Sequence, residues 1–153
     1  MDQEAPVCIV RAEPGEHDLM GDILGDAFAT DPVMNWGMPN PAMYSGFFRM
    51  LAKSQFLRHQ HCYRDSENRG AAMWLPPEAP FELKMSLSRL WLMLRLVAST
   101  GTYVLKRLET LQKVMGENHP SRPHYYLQAI GARQAHQGKG IGSNLLKTVT
   151  PLC

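Results

Sequence analysis

Apolar residues recur along the first sixty positions with the spacings of one short strand and two helices. The β-branched run VCIVRA, 7–12, predicts a strand. Helical spacing over 15–32, with an expected stop at Asp31, predicts the first helix. The segment 40–59 predicts a second helix, which Asn40 would cap. The predicted inner side of that helix consists of Phe47, Met50, Leu51, Ser54, Phe56 and Leu57.

The middle of the chain has the pattern of a β-hairpin followed by a helical insert. The short β-like runs QHCYRD, 60–65, and RGAAMWLPP, 69–77, are separated by a predicted turn at 66–68. The stretch 81–115 is rich in Leu and Met. Gly101 divides it into two expected helices.

The last part of the chain predicts a buried strand, a glycine-rich loop and a helix. The strand falls in SRPHYYLQAIGAR, which is almost continuously apolar over 125–132. The loop is QGKGIG, 137–142, and the helix is expected from about Ile141. The order is therefore strand, two helices, two strands, a helical insert, strand, glycine loop and helix.

Length and composition fit one globular domain and narrow the classes of function. The chain has 153 residues, 44% of them hydrophobic and 20% charged, and its net charge of +2 gives no argument for nucleic acid or an anionic membrane as partner. Three cysteines without a CxxC spacing predict no disulfide framework, so a reducing, cytoplasmic setting is expected. The acidic N-terminus and the short apolar window at 87–97 lead us to expect neither a signal peptide nor a membrane span.

A strand, a glycine-rich turn and a helix together predict an anion-binding site. The first N–H groups of a helix lack intrahelical partners, and the helix dipole places its positive end at the turn. Glycines allow the backbone to approach a phosphate closely. The spacing excludes a Walker A loop, because Arg133 and Gly140 stand where that motif needs Gly and Ser or Thr. It also excludes the dinucleotide fingerprint GxGxxG, whose third glycine is replaced by Ser143.

The spacing Q-x-x-G-x-G in QGKGIG resembles the acyl-CoA-binding motif of the GNAT superfamily of N-acetyltransferases. Segments 27–36, 70–77 and 119–146 resemble the puromycin N-acetyltransferase-like branch of that superfamily. The resemblance implies an α/β GNAT fold, with a mixed, mostly antiparallel sheet flanked by helices. It also implies transfer of an acetyl group from acetyl-CoA to a primary amine of a small molecule, by direct attack in a ternary complex.

Members of the superfamily continue past the helix that follows the glycine loop into further strands. We therefore expect residues 1–153 to form a single GNAT domain whose C-terminal strands are missing. Two alternatives stay open. The chain could be an inactive acyl-CoA-binding fragment, or a different nucleotide-binding α/β protein.

The resemblance implies two groups of residues that bind acetyl-CoA. The strand group, beside the pantetheine arm, is Ala129, Ile130, Gly131, Ala132 and Arg133. The loop group, around the pyrophosphate, is Gln137, Gly138, Lys139, Gly140, Ile141, Gly142 and Ser143. An N–H group near Gly131 or Ala132 would polarise the thioester carbonyl. Ile141 is expected to pack under the loop, and Ser143 is either a hydroxyl contact to a phosphate or an ordinary first-turn residue.

No residue is assigned as the catalytic acid or base. The predicted strand carries no carboxylate, and its polar side chains are His124, Tyr125, Tyr126 and Gln128. Both tyrosines are expected to be packing residues. His136, beside the loop, is expected on the surface.

Three residues of the first half match the pattern of the puromycin-like branch and suggest the acceptor side: Asp31, Trp36 and Trp74. Core packing is nevertheless the expected role of both tryptophans.

The run HQHC, 59–62, contains metal-ligating residue types, but a strand alternates its side chains and no second cluster completes a site. No metal is therefore expected.

Overall fold

The computed structural model describes residues 6–80 and 85–152, which contain a four-stranded antiparallel sheet. Its strands are neighbours in chain order: β1 (Ile9–Arg11), β2 (Cys62–Asp65), β3 (Gly70–Leu75) and β4 (Tyr126–Ala132). The predicted hairpin is formed by β2 and β3, which pair in antiparallel fashion. All four strands were predicted from the sequence.

Helices cover the sheet and form the insert between β3 and β4. Their bounds are α1 (His17–Ala27), α2 (Pro32–Gly37), α3 (Tyr44–Leu51), α4 (Leu87–Thr100), α5 (Tyr103–Glu117) and α6 (Ile141–Val149). Gly101, at φ 92°, separates α4 from α5 as predicted. The expected start of the insert at 81–84 lies outside the described residues. Within the described ranges, no helix is both long and apolar enough to cross a membrane.

The sheet separates two apolar clusters. Helix α1 covers one face and α3 packs against α1, and the cluster there includes Ile23, Leu24, Phe48, Met73 and Ala129. Helix α6 covers the other face, where the cluster includes Tyr63, Ala72, Trp74, Ile141 and Leu145. Helices α1 and α3 pack closely, since a Cβ at Gly25 would lie 2.7 Å from the backbone nitrogen of Ser45.

A β-bulge in β4 changes which of its side chains face each cluster. Met73 pairs with Ala129, whereas Trp74 pairs with Leu127, so Gln128 is an extra residue without a partner on β3. Residues two apart on a regular strand share a face. Here Leu127 packs in the α6 cluster and Ala129 in the opposite one. The alternation of side chains between the two faces of the sheet is therefore reversed on either side of the bulge.

The predicted ends of the first two helices need correction. Helix α1 stops at Ala27, and Asp31 begins α2 instead of ending α1. The Asp31 carboxylate accepts the Met34 N–H at 2.7 Å, which caps the N-terminus of α2. Asn40 makes no side-chain capping hydrogen bond, contrary to expectation.

The predicted helix over 40–59 is helical, but its turns are irregular. A π-helical turn at Ala52–Phe56 follows α3 and shifts the phase of the helix. Ser54, predicted on the inner side, is exposed, whereas Gln55 is buried. Phe48, which was not predicted on the inner side, is also buried.

Candidate functional site

The glycine loop lies between the C-terminal end of β4 and the start of α6. A short 3₁₀ turn at Gln134–His136 follows β4. Gly138 and Gly140 then adopt φ values of 76° and 77°, in the left-handed region that favours glycine. The spacing of these two glycines thus reflects a backbone conformation that other residues adopt at a cost.

The amino end of α6 is uncapped. Gly140 precedes the helix and provides no side-chain cap. The first hydrogen bond of the helix runs from the Asn144 N–H to the Gly140 carbonyl at 3.1 Å. The N–H groups of Ile141, Gly142 and Ser143 therefore precede the first intrahelical hydrogen bond, at the positive end of the helix dipole.

The backbone of the loop is accessible to a ligand. A Cβ at Gly138 or Gly142 would meet no atom within 4 Å, and one at Gly140 would meet only the Asn144 side chain, at 3.9 Å. Gln137 is exposed, and its Nε2 donates a 3.4 Å hydrogen bond to the Ala132 carbonyl. Lys139 and Ser143 are also exposed. This surface can therefore receive an anion without displacing packed side chains.

The buried side chain of Ile141 anchors the start of α6, and with it the loop, to the sheet. Ile141 is 1% exposed and packs in the α6 cluster. A Cβ at Gly70 would lie 2.6 Å from the Ile141 Cγ2 atom, so the side chain rests directly on the start of β3. On the other side, Asp26 of α1 accepts the Gln134 N–H at 2.9 Å. The loop is thus held between α1 and the sheet, and Ile141 acts as a packing residue.

The side chain of Arg133 braces the β2–β3 turn. The backbone N–H of Arg133 donates to the Arg69 carbonyl at 2.7 Å, and the side-chain Nε donates to the Asn68 carbonyl at 2.9 Å. Arg69 in turn pairs with Asp65, with 2.6 Å between Nε and Oδ2, and both side chains are buried. Burial raises the pKa of Asp65, but the hydrogen bonds and charge of Arg69 outweigh it, so the pKa lies below its usual value.

The other residues of the strand group have packing roles on their side-chain side. Ala129 is buried against the α1 cluster, and Ile130 and Ala132 pack towards α6. Gly131 allows α1 to approach, since a Cβ there would lie 2.7 Å from the Ala27 Cβ. Only the backbone of these residues remains for a ligand. The edge of β4 that faces away from β3 carries no strand in the described part of the chain.

Unpaired polar atoms gather around the N-terminal half of β4. Within the described residues, four buried side-chain atoms lack a hydrogen-bond partner: His61 Nδ1, Trp74 Nε1, His124 Nε2 and Gln128 Oε1. Gln128 is the bulge residue, and Trp74 pairs with the neighbouring Leu127. The backbone N–H of Trp74 donates to the His61 carbonyl at 3.1 Å. Buried polar groups without partners are uncommon in folded proteins, so this group of atoms needs an explanation.

A cavity of about 290 Å³ lies beside the same end of β4. Its wall is formed by the residues after β3 and those before β4: Leu75, Pro76, Pro77, Ala79, His119, Pro120, Ser121, Arg122, Pro123, His124 and Tyr126. The rings of His119 and His124 lie 4.8 Å apart, and those of His119 and Tyr126 lie 5.2 Å apart. Burial raises the pKa of Tyr126, so its phenol keeps its proton.

From the sequence we assigned no role to His124 and did not single out His119 or Arg122. These residues flank the prolines of HPSRPH, 119–124, and two histidines in so short a segment were the available signal. The expectation that Tyr125 and Tyr126 pack is confirmed, since they contact opposite clusters. His136 is half-buried instead of lying fully on the surface.

The remaining candidates lie elsewhere. Trp74 is buried, as expected of a core residue, but Trp36 is 43% exposed and lies under the Arg107 guanidinium at 5.3 Å. Among the described residues, no group of three or more His, Cys, Asp or Glu side chains is arranged to hold a metal ion. Burial raises the pKa of the Cys62 thiol to about 12, so this cysteine does not supply a thiolate nucleophile.

The architecture is that of a solved acetyltransferase. A crystal structure described as histone acetyltransferase HPA2 and related acetyltransferase from Corynebacterium glutamicum aligns with a TM-score of 0.60 at 20% identity, over 97% of this chain and 73% of that one. No family model matches the chain, and no curated protein matches it significantly. The likeness confirms the predicted acetyltransferase (GNAT) fold. The puromycin-like branch stays a prediction.

Proposed function

We propose that the protein is an N-acetyltransferase that transfers the acetyl group of acetyl-CoA to a primary amine of a small molecule. One observation carries the proposal. The uncapped amino end of α6, opened by Gly138 and Gly140, directly follows β4 in a fold shared with a solved acetyltransferase. Backbone N–H groups at such a helix end are suited to phosphate groups.

In this proposal the loop binds the pyrophosphate of coenzyme A through its backbone. The N–H groups of Ile141, Gly142 and Ser143 would donate to phosphate oxygens, and Gly138 and Gly140 would keep the approach free of side chains. Gln137, Lys139 and the Ser143 hydroxyl border this surface. Because the donors belong to the backbone, binding would depend more on the shape of the loop than on its side chains.

The pantetheine arm would lie along the open edge of β4. A ligand with amide groups can pair with a free strand edge as an added strand does. The strand Ala129–Ala132 would offer its backbone, since its side chains are packed. The N–H of Gly131 or Ala132 would then polarise the thioester carbonyl as a fixed donor. Arg133 would contribute by bracing the end of the strand.

We further propose direct attack of the amine on acetyl-CoA in a ternary complex. A covalent acetyl-enzyme would need an accessible nucleophile. The buried Cys62, with its raised pKa, does not meet that requirement. Cys8 is exposed but precedes β1, at the opposite edge of the sheet from β4. The amine and acetyl-CoA would therefore have to be bound together.

The test is an acetyl-transfer assay that detects free CoA thiol. Acetyl-CoA would be offered with a panel of small primary amines that includes puromycin and 2-phenylethylamine. N-acetyl-2-phenylethylamine, whose amine is blocked, is the matched control. We expect thiol release that depends on a free amine. Saturable binding of acetyl-CoA without acetylation of any amine would instead favour an inactive acyl-CoA-binding fragment.

A further inference from the structure

The exposed face of α4 is apolar, which distinguishes this helix from an ordinary surface helix. Leu96 is buried in the cluster on the α1 side of the sheet, so the inner face of α4 is already packed. The opposite face carries an exposed row, the α4 row, whose members have the spacing of one helix face: Leu87, Leu90, Trp91, Leu94 and Ala98. A surface helix usually has polar side chains at such positions. A contiguous exposed apolar surface is typical of an interaction site.

A groove of about 340 Å³ lies beside the α4 row. Residues of α1, of α3 and the π-helical turn that follows it, and of α4 line the groove. Trp91 belongs to both the row and the groove, and it is 62% exposed. Met50 and Leu92 add apolar surface to the lining. The row and the groove therefore form one continuous surface, with Trp91 at their junction.

The groove is basic. Its lining contains three cationic side chains, Arg49, Lys53 and Arg95, and a single carboxylate, that of Asp18. Asp18 is already paired with Arg49, at 2.7 Å between Oδ1 and Nε. Arg95 lies over the Trp91 ring at 5.1 Å, and neither Arg95 nor Lys53 forms an ion pair with a described residue. Two positive charges are thus available to carboxylates of a partner.

These charges distinguish between the surfaces that would cover the α4 row. A second copy of the chain would bring the same cations together, because the sequence from 85 to 108 contains Lys and Arg but no Asp or Glu. A lipid bilayer is flat and would contact the row without filling the groove. An amphipathic helix places apolar side chains in such a groove and its polar flank beside it. A helix with an acidic flank matches both parts of the surface.

We propose that the α4 row and its groove bind an acidic amphipathic helix of a partner protein. The apolar face of that helix would cover Leu87, Leu90 and Leu94, and its carboxylates would pair with Lys53 and Arg95. Trp91 would be the central contact, as tryptophan often is in protein interfaces. None of these residues belongs to the glycine loop or to β4, so the inference does not depend on the acetyltransferase function proposed above.

The first test titrates the 153-residue chain with two synthetic helical peptides that share one row of leucines. One peptide carries glutamate on both sides of the row, and the other carries lysine at the same positions. Fluorescence anisotropy of a dye on each peptide measures binding. We expect the glutamate peptide to bind saturably, at least about tenfold tighter than the lysine peptide at low salt. Equal affinities, or no saturable binding of the glutamate peptide, would overturn the proposal.

The second test changes the surface and keeps the glutamate peptide. Lys53→Glu reverses a charge in the groove and Trp91→Ala removes the central contact, so each should raise the Kd for the peptide at least about tenfold. The matched controls are Lys147→Glu, at an exposed position of α6, and Trp36→Ala, at the exposed tryptophan of α2. Each control should change the Kd less than about twofold. An equal rise in the variants and their controls would overturn the proposal.

A third test examines the two other surfaces that would cover the row. We expect the chain to sediment as a monomer at micromolar concentration. We also expect vesicles of phosphatidylglycerol not to displace the glutamate peptide. A dimer that Trp91→Ala dissociates would overturn the proposal in favour of a second copy of the chain. Vesicles that bind wild type but not Trp91→Ala, and that displace the peptide, would overturn it in favour of a lipid surface.

Discussion

The two ends of β4 are built in different ways. At the C-terminal end, Gly138 and Gly140 shape a loop whose donors are backbone N–H groups. At the N-terminal end, His119, His124 and Tyr126 line a cavity with their side chains. A backbone site tolerates any residue that keeps its conformation, whereas a side-chain site depends on the chemistry of each residue. Substitutions at the loop should therefore act through shape and charge, and those at the cavity through chemical function.

The largest effect, on the free energy of unfolding, is expected at the buried Asp65–Arg69 pair beside the C-terminal end of β4. Asp65→Asn would remove the carboxylate that neutralises the buried Arg69 guanidinium, and the Arg69 carbonyl accepts the backbone N–H of Arg133 at the end of β4. We expect the free energy of unfolding to fall by about 3–5 kcal/mol, measured by chemical denaturation. The matched control is Glu117→Gln, which breaks an exposed pair of the same i,i+4 spacing with Lys113. It should cost less than about 0.5 kcal/mol. Equal losses in both variants would contradict this account.

The next effect concerns charge at the loop. Aspartate tolerates the left-handed conformation of Gly140 better than most residues. Its carboxylate in Gly140→Asp would satisfy the free N–H groups of α6 and repel a pyrophosphate. We expect the Kd for acetyl-CoA to rise about 100-fold, measured by calorimetry. Gly140→Asn, which lacks the charge, should raise the Kd for acetyl-CoA clearly less. An equal increase in Kd in the two variants would exclude an anion site.

A smaller effect is expected when the pH is lowered, which should reduce the stability of the folded chain. The pKa values of Asp65 and Glu16 lie below their usual values, Asp65 through Arg69 and Glu16 through its hydrogen bond to Arg64. The unfolded chain therefore takes up protons first as pH falls, which favours unfolding. We expect stability to be constant above about pH 5 and to fall below about pH 4, measured by thermal melting. Asp65→Asn should show a shallower fall, and an identical pH profile in the variant would contradict the assignment.

The smallest effect is expected from a charged side chain of the loop itself. Lys139→Ala removes one positive charge from an exposed position but leaves the backbone donors in place. We expect the affinity for acetyl-CoA to fall by less than about tenfold, and the difference from wild type to shrink at high salt. A loss above about 100-fold would show that the site is built from side chains, as the cavity is.

The glycine loop at the C-terminal end of β4 was predictable because its sequence pattern is local. Glycines occupy alternate positions, 138, 140 and 142, within a few residues of each other, and the conformations of Gly138 and Gly140 explain two of them. The strand before the loop and the helix after it also follow from periodicity. The same is true of the hairpin and of the two helices that Gly101 separates. Periodicity therefore predicts most of the fold.

The cavity at the N-terminal end of β4 was not predictable because the residues that line it are distant in sequence. Residues 75–79 and 119–126 lie together in the fold, although the helical insert separates them in sequence. The bulge at Gln128 also breaks the strict alternation on which strand prediction depends. In the first half, the π-helical turn at Ala52–Phe56 shifted the predicted inner side in a similar way. These three misses came from an extra residue in a helical turn or in a strand, or from a long-range contact.

The most direct test of the central claim is calorimetric titration of the 153-residue chain with acetyl-CoA, ATP and NAD. We expect saturable binding of acetyl-CoA, at least about tenfold tighter than that of either nucleotide, and about 100-fold weaker binding in Gly140→Asp. Tighter binding of ATP or NAD, no binding of acetyl-CoA, or full binding of acetyl-CoA by Gly140→Asp would contradict the account.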